Sequence, residues 1–404
     1  MGSILTKIQK LAGARLKKWQ IFASLFFFNF AACSIIAIAG GATPGAERYL
    51  LHPTARSLPV AVFGDDGRRE LPEKYSGLEG KIGMIYEPIS QTLCTAFCVA
   101  PDVVATAAHC LFQAKAAKIP AISSLSFRLD YGKVSTSTGL AGSRKGVEKN
   151  FVAVGTTKFN QEPPLSAPLD WALARLERPI CRFGVLDVVP KTVPELAQAT
   201  TEKRIFQVAY HWDYQHWKLA YSGACTISRS FSLQWRAIQQ HFSDSEDLVL
   251  HDCDTGGASS GSPILMDTPL GPVAVAINVG TYTRTRLFLR QGRVVKRLNP
   301  DVIANTGVNA RAFKHIIAEL GTAQILESPD ELSQLQLELR ARALYSGKVD
   351  GILGRNTRSA IRQFEVSNGL TATGLPTQKV LDQISQNRER PAVDYSTVRG
   401  KAPN

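Results

Sequence analysis

Residues 253–263 read CDTGGASSGSP, and this stretch decides how the rest of the chain can be interpreted. Its glycines let the backbone turn tightly and approach a ligand closely. A serine hydroxyl at the tip of such a turn is exposed, and neighbouring backbone N–H groups can converge on an oxyanion. A serine is a weak nucleophile until a base activates it. The stretch is therefore either a plain glycine- and serine-rich loop or half of a catalytic site whose histidine lies elsewhere.

Two further stretches supply partners for that serine. His109 lies in Thr-Ala-Ala-His-Cys, directly after an apolar run typical of a strand. Asp170 stands at the head of an alternating apolar pattern that also indicates a strand. Alone, each is more typical of an ordinary core or surface residue. Together they give the chain a histidine, an aspartate and, at Ser260, a serine in a defined order.

In this order the three stretches resemble the chymotrypsin-like serine proteases, over about residues 60–320. The resemblance implies a catalytic triad of His109, Asp170 and Ser260, and an oxyanion hole formed by the N–H groups of Ala258 and Ser260. It implies hydrolysis of peptide bonds through an acyl-enzyme, with no cofactor and no metal.

The chain departs from the family pattern at Ala258, where glycine is usual. If that position needs φ > 0, alanine costs about 1–2 kcal/mol there. A register with Ser259 as the nucleophile would place Gly257 in the oxyanion hole instead, but it would break the Ser-Gly-x-Pro continuation, so we retain Ser260. Ser259 itself stands where trypsin-type zymogens carry an aspartate that pairs with a new N-terminal ammonium, and a serine cannot form that ion pair.

The resemblance implies a substrate pocket that includes Asp254, Thr255, Asn278 and Gly280. In trypsin-type enzymes a carboxylate at the place of Asp254 pairs with a substrate Arg or Lys, whereas Asp-Thr also occurs in the glutamyl endopeptidase branch, whose substrates are acidic. In that branch a histidine helps to bind the glutamate, and the uncharged Asn278 stands at the matching position. Charge-assisted hydrogen bonds are roughly twice as strong as neutral ones. We therefore expect that glutamate is not the preferred residue before the scissile bond.

Seven cysteines indicate an oxidising compartment. With Cys33 set aside, the remaining six allow fifteen pairings. The expected bridges are Cys94–Cys110, Cys225–Cys253 and Cys98–Cys181. The first is implied by the resemblance, because the family bridges the cysteine after the catalytic histidine to one sixteen positions earlier. The second joins the ends of two strand-like segments beside the expected active site, and the third is the remaining pair.

The N-terminus has the pattern of an export signal, with five basic residues before an uncharged apolar segment. That segment is long enough to span a bilayer. A cleaved signal peptide and an uncleaved signal-anchor are both open, and the membrane is an expected partner only in the second case. The expected organisation is a signal segment at 1–42, a linker at 43–60, a protease domain at 61–321, a helical domain at 326–386 and a polar tail at 387–404.

Short apolar runs separated by turn residues fill the region from 81 to 278, which indicates an all-β barrel or sandwich. The resemblance implies two six-stranded β-barrels with the active site between them, so the expected fold class is mainly β. A closing helix carries Phe313, Ile316, Ile317 and Leu320 on one face, with Asn309 as its N-cap. We expect that helix to pack on the second barrel.

Beyond residue 321 the apolar pattern becomes helical, with three short stripes. The string from 345 to 376 closely resembles the peptidoglycan-binding domain of bacterial wall enzymes. The alternative is an appendage that docks or stabilises and binds no glycan.

These features predict an exported serine endopeptidase, in the periplasm, the cell envelope or the medium, whose partners are peptide substrates and peptidoglycan. A net charge of +13 favours anionic surfaces. The basic residues are scattered and form no nucleic-acid motif, so nucleic acid is not an expected partner. Two alternatives stay open: a pseudoprotease that only binds at the wall, and a hydrolase of peptidoglycan cross-bridges.

Overall fold

The structure is a computed structural model. It describes residues 49–53, 61–87, 92–112, 122–131, 134–142, 149–160, 162–215, 218–227, 238–290, 293–297 and 301–386. The expected signal segment, most of the expected linker and the tail at 387–404 lie outside these residues. None of the helices among the described residues is long and apolar enough to cross a membrane.

The described residues contain sixteen strands and six α-helices. The strands are β1 (Tyr49–Pro53), β2 (Arg69–Glu70), β3 (Ile82–Glu87), β4 (Thr92–Ala100), β5 (Val103–Thr106), β6 (Ser126–Tyr131), β7 (Val134–Gly139), β8 (Val152–Val154), β9 (Ala172–Arg175), β10 (Ile205–Tyr210), β11 (Leu219–Gly223), β12 (Leu248–His251), β13 (Pro263–Met266), β14 (Val273–Arg290), β15 (Arg293–Arg297) and β16 (Asp301–Asn309). The helices are α1 (His109–Phe112), α2 (Val193–Thr201), α3 (Lys314–Thr322), α4 (Pro329–Ala341), α5 (Arg355–Ser367) and α6 (Gln378–Gln386).

The first barrel is an antiparallel sheet in the order β7-β6-β3-β4-β5-β9-β8. Its ends meet, because Ala141 N donates to Arg175 O at 2.7 Å and Glu177 N donates to Gly139 O at 3.1 Å. The end of β7 thus pairs with the end of β9 and the residues just after it, through the Leu140–Leu176 bridge, while β8 pairs with residues 172–174 of β9. Closure removes the exposed sheet edges and leaves six strands around the ring.

The second barrel runs in the order β12-β16-β14-β13-β10-β11, with β2 added on β11. It closes where the segment after β11 meets β12, through the Ile227–His251 bridge and Asp252 N donating to Thr226 O at 3.2 Å. Six strands again form the ring. The prediction of two six-stranded barrels is confirmed.

The far end of β14 pairs with β15 and with β1, which lies inside the stretch predicted to be a linker. That prediction is wrong for residues 49–53. The linker was inferred from prolines, but Pro53 lies at the end of β1, where the missing N–H is tolerated. The Tyr-Leu-Leu run before it pairs with the neighbouring strand.

Helix α3 buries the predicted apolar face, but against the first barrel rather than the second, so the predicted packing partner is wrong. It contacts β4, β5 and β9, and the rings of Phe313 and Trp171 are 6.1 Å apart. Val103 joins them in one buried cluster, which gives the helix an apolar surface on that side. Asn309 caps the 3₁₀ turn before α3, accepting from Arg311 N at 3.0 Å.

Helices α4, α5 and α6 form the predicted three-helix domain, called the C-terminal module below. Helix α4 begins with a capping box of Ser328 and Glu331. The module has its own buried cluster, formed by Leu326, Leu332, Leu335, Leu339, Tyr345, Leu353, Ala360, Ile361, Phe364, Val380, Leu381 and Ile384. This cluster explains the three apolar stripes in the sequence.

Helix α5 docks on β8 of the first barrel through buried arginines. Arg358 donates to Val152 O at 2.8 Å and also to Lys149 O, and Arg362 donates to Val154 O. Asn150 Nδ2 donates to Leu326 O at 2.9 Å from the barrel side. The module is therefore attached to the barrel by a hydrogen-bonded interface as well as by the chain.

Candidate active site

His109 and Asp170 form a two-point contact on the first barrel. His109 is the first residue of α1, and Asp170 follows a 3₁₀ turn that precedes β9. Asp170 accepts from His109 N at 2.9 Å through one carboxylate oxygen and lies 2.7 Å from His109 Nδ1 through the other. Both side chains are mostly shielded, with 17% and 10% of their surface exposed. The contact fixes the ring and leaves Nε2 as the nitrogen available to a substrate or nucleophile.

Ser260 lies on the loop between β12 and β13 of the second barrel. It is partly exposed, and its hydroxyl has no hydrogen-bond partner within the described parts of the chain. Its neighbour Gly261 has φ +85°, and a Cβ there would lie 2.2 Å from Thr95 O and 2.9 Å from Ala107 N. Only glycine permits this close approach to β4 and to the end of β5, which leads into His109.

Thr95 of β4 joins the serine loop to the first barrel. Its N–H donates to Ser260 O at 2.9 Å, and its hydroxyl donates to Ala258 O at 2.8 Å while accepting from Tyr210 N at 3.0 Å. The preceding residue, Cys94, is bonded to Cys110, the neighbour of His109. The structure thus brings the stretches of His109, Asp170 and Ser260 to the junction of the two barrels.

The backbone N–H groups of Ala258 and Ser260 have no acceptor within the described residues, and the same holds for those of Cys253, Gly256 and Gly257 in this loop. Gly257 O accepts from Trp212 N at 2.8 Å, and Ser259 O accepts from Asn278 Nδ2 at 3.1 Å. Because C=O and N–H of a trans peptide point in opposite directions, these contacts aim the two N–H groups away from Trp212 and Asn278. Ala258 has φ +80°, the conformation that the sequence left open.

The predicted pocket residue Asn278 is buried and bonded to the protein. Its Nδ2 donates to Ser259, and its Oδ1 lies 3.1 Å from His251 Nε2. Since Oδ1 can only accept, His251 carries its proton on Nε2. Burial lowers the pKa of His251 to about 4, so the ring is neutral at pH 7. Asn278 therefore supports the serine loop from inside, and its role toward substrate stays a prediction.

Two of the other pocket residues, Asp254 and Thr255, contact the segment 61–68. Asp254 accepts from Phe63 N at 2.9 Å and from Gly67 N at 2.8 Å, one bond to each carboxylate oxygen. Thr255 exchanges two backbone hydrogen bonds with Ala61. Gly280 lies in β14, and a Cβ added there would have Thr306 Oγ1 as its nearest neighbour, at 3.7 Å. The pocket roles of these residues stay predictions, and the Asp254 carboxylate is occupied by backbone donors.

A buried arginine lies behind the serine loop. Arg68 has only 3% of its side chain exposed and binds Asp66 at 2.7 Å and Asp213 at 2.9 Å. A Cβ on Gly256 would lie 2.1 Å from Asp213 Oδ1 and 2.5 Å from Arg68 Nη1, so the pair lies against the loop backbone. The hydrogen bonds from Arg68 lower the pKa of both Asp66 and Asp213. Burial lowers the pKa of the adjacent His211 to about 4.

All three expected disulfides are confirmed: Cys94–Cys110, Cys98–Cys181 and Cys225–Cys253. Within the described residues, Cys94, His109 and Cys110 are the one group whose ligand atoms are close enough to hold a metal. Their two sulfurs are bonded to each other, so they are not free thiolates.

Comparison with known proteins identifies the module. Residues 328–384 match the family model described as "Putative peptidoglycan binding domain". A solved structure titled "Structure of Glu endopeptidase in complex with MPD" matches 64% of this chain and 98% of its own, at 15% identity and a TM-score of 0.39. No curated protein matches the chain.

Sequence reasoning did not find Thr95, Arg68 or Trp212. Thr95 lies in an apolar strand and Arg68 at the end of the stretch 62–68, and neither position indicated a role at the site. Their contacts span 115 and 145 positions of the chain. No local pattern in a single sequence marks such contacts.

Proposed function

We propose that this chain is a serine endopeptidase of the cell envelope. The observation that carries the proposal is the His109–Asp170 contact beside a serine loop in which the N–H groups of Ala258 and Ser260 are unpaired within the described residues. The three disulfides support export to an oxidising compartment. The match at 328–384 supports attachment to peptidoglycan.

In this proposal Ser260 Oγ attacks the carbonyl carbon of the scissile bond while His109 Nε2 takes the hydroxyl proton. Asp170 orients the imidazole and stabilises its charged form. The carbonyl oxygen becomes an oxyanion held by the N–H groups of Ala258 and Ser260. Collapse of this intermediate expels the amine, which receives the proton from His109, and water then hydrolyses the acyl-enzyme by the same steps.

A serine-directed phosphonate tests this mechanism. The wild-type protein should be labelled on Ser260, and Ser260→Ala should not be labelled. Ser259→Ala should still react, because Ser259 Oγ is held inside the protein, donating to Gly256 O and accepting from Asn278 Nδ2. The free energy of unfolding should change little in Ser260→Ala. A label on Ser259, or an unlabelled wild-type protein with an intact fold, would refute the proposal.

The module favours a second candidate, a hydrolase of peptidoglycan cross-bridges. Incubating the protein with purified wall and, separately, with an unfolded protein substrate distinguishes the two. Release of cross-bridge peptides without cleavage of the protein substrate would favour the second. Binding to the wall itself should be measured with Ser260→Ala at high salt, since the net charge of +13 promotes non-specific adsorption.

A further inference from the structure

The segment 61–68 runs beside the serine loop and contacts it at several positions. Ala61 pairs with Thr255 in both directions, at 3.2 and 3.0 Å. Phe63 N and Gly67 N both donate to Asp254. At the end of the segment, Arg68 reaches Asp213 with two parallel hydrogen bonds of 2.9 Å.

The contact between Arg68 and Asp213 is continuous with the backbone that orients the Ala258 N–H. Asp213 follows Trp212, whose N–H holds Gly257 O at 2.8 Å. The same ion pair leaves no room for a side chain at Gly256. Bidentate pairing of a planar guanidinium fixes direction as well as distance. Rotation of the Gly257–Ala258 peptide would break the Trp212 N to Gly257 O bond, which lies next in the chain to the side chain that Arg68 holds.

We propose that Arg68 is a positioning residue that keeps the serine loop in the conformation in which the Ala258 N–H faces a substrate oxyanion. This inference rests on the proposed protease function. In trypsin-type enzymes an ion pair between an aspartate and an N-terminal ammonium supports this loop. Ser259 stands at the place of that aspartate and cannot form the ion pair, and in our proposal Arg68 provides the support instead. Arg68 touches no substrate and acts only through Asp213, Trp212 and Gly256.

The test compares Arg68→Met and Arg68→Lys with Arg311→Met. Arg311 is a matched control because it also pairs with two acids, Glu246 and Asp247, but on an exposed surface. In Arg68→Met, phosphonate labelling should slow by up to about 100-fold, the effect of losing one oxyanion donor. Arg68→Lys should recover part of the rate, because an ammonium keeps the charge but loses the bidentate geometry. Arg311→Met should react at the wild-type rate.

A pair of ligands separates positioning from general structural damage. A peptide aldehyde forms a tetrahedral oxyanion on the serine, whereas the same peptide as a carboxamide does not. Arg68→Met should lose affinity for the aldehyde by the same factor as the labelling rate, with affinity for the carboxamide little changed. Equal loss of both ligands, or wild-type labelling by Arg68→Met, would overturn the proposal.

Hydrogen exchange tests the same contact without relying on activity. Amides of residues 256–260 should exchange faster in Arg68→Met than in Arg311→Met or in the wild-type protein. If the wild-type protein is not labelled by the phosphonate, the proposed function fails. Hydrogen exchange alone then tests whether Arg68 holds the serine loop in place. Unchanged exchange at 256–260 would overturn the inference.

Discussion

Ala258 adopts φ +80° although it is not glycine. For an L-residue this conformation costs about 1–2 kcal/mol. Three hydrogen bonds around the residue offset that cost: Trp212 N to Gly257 O, Thr95 Oγ1 to Ala258 O, and Ser259 N to Gly256 O. Alanine in place of the usual glycine therefore does not prevent the loop from forming, and it is not evidence for the pseudoprotease alternative.

A second single residue, Asp254, provides a test of substrate specificity. In Asp254→Asn one backbone donor, Phe63 N or Gly67 N, should lose its acceptor, so the free energy of unfolding should fall by about 1–3 kcal/mol. Because the carboxylate is occupied by the segment 61–68, the residue preferred before the scissile bond should not change. A peptide-library profile of both proteins, with chemical denaturation, measures the two effects.

In that profile we expect no dominance of glutamate, since Asn278 is uncharged and buried against Ser259 and His251. Two outcomes would contradict the interpretation. One is a profile dominated by glutamate. The other is a preference for Arg or Lys that disappears in Asp254→Asn.

Among the elements, the strands were predictable and their partners were not. β10 and β12 coincide with short apolar runs of the region predicted to be all-β, because such runs between turn residues are local signals. The stretches around His109, Asp170 and Ser260 were predicted from their motifs. The surface under α3, the pairing of β1 with β14 and the contacts of Arg68 depend on residues far apart in sequence. These contacts could be identified only from the three-dimensional structure.

The buried histidine of β12 gives stability a pH dependence. His251 has a pKa of about 4 in the folded chain against an ordinary value of about 6.5. Between these values the unfolded chain binds more protons, so stability is fully present above pH 6.5 and falls as pH drops toward 4. The loss amounts to on the order of 3 kcal/mol for this residue.

Urea unfolding at several pH values measures this loss. His251→Gln, which keeps a donor toward Asn278, should show a shallower fall between pH 6.5 and 4. Part of the slope should remain, because His211 has a pKa of about 4 as well. A variant with the wild-type slope would show that His251 is not the group that titrates.

For the whole molecule, the main feature is the interface between α5 and β8. Arg358 is buried with backbone carbonyls as its hydrogen-bond partners, and burial lowers its pKa to about 9. A buried cation satisfied by carbonyl dipoles keeps its charge at neutral pH and fixes the angle between helix and strand. The module's own apolar cluster is separate from this contact.

Arg358→Met should therefore loosen the interface without unfolding the module. The carbonyls of Val152 and Lys149 lose their donor, and the radius of gyration should increase in small-angle scattering. The exposed Arg355→Met on the same helix is the control and should scatter like the wild-type protein. Unchanged scattering from Arg358→Met would show that other contacts hold the module.

The segment 323–328 is bonded on both sides, since Ala323 O accepts from Arg175, Leu326 O from Asn150, and Leu326 N donates to Pro376 O. A flexible spacer would let an anchored enzyme sweep a volume set by its length. Here the junction of the two barrels, where His109 and Ser260 lie, would stay at one distance and one orientation from the C-terminal module. Under the proposed function, a molecule built in this way would reach only peptide bonds at that distance from the wall, and reaching others would require the module to leave the wall and bind again.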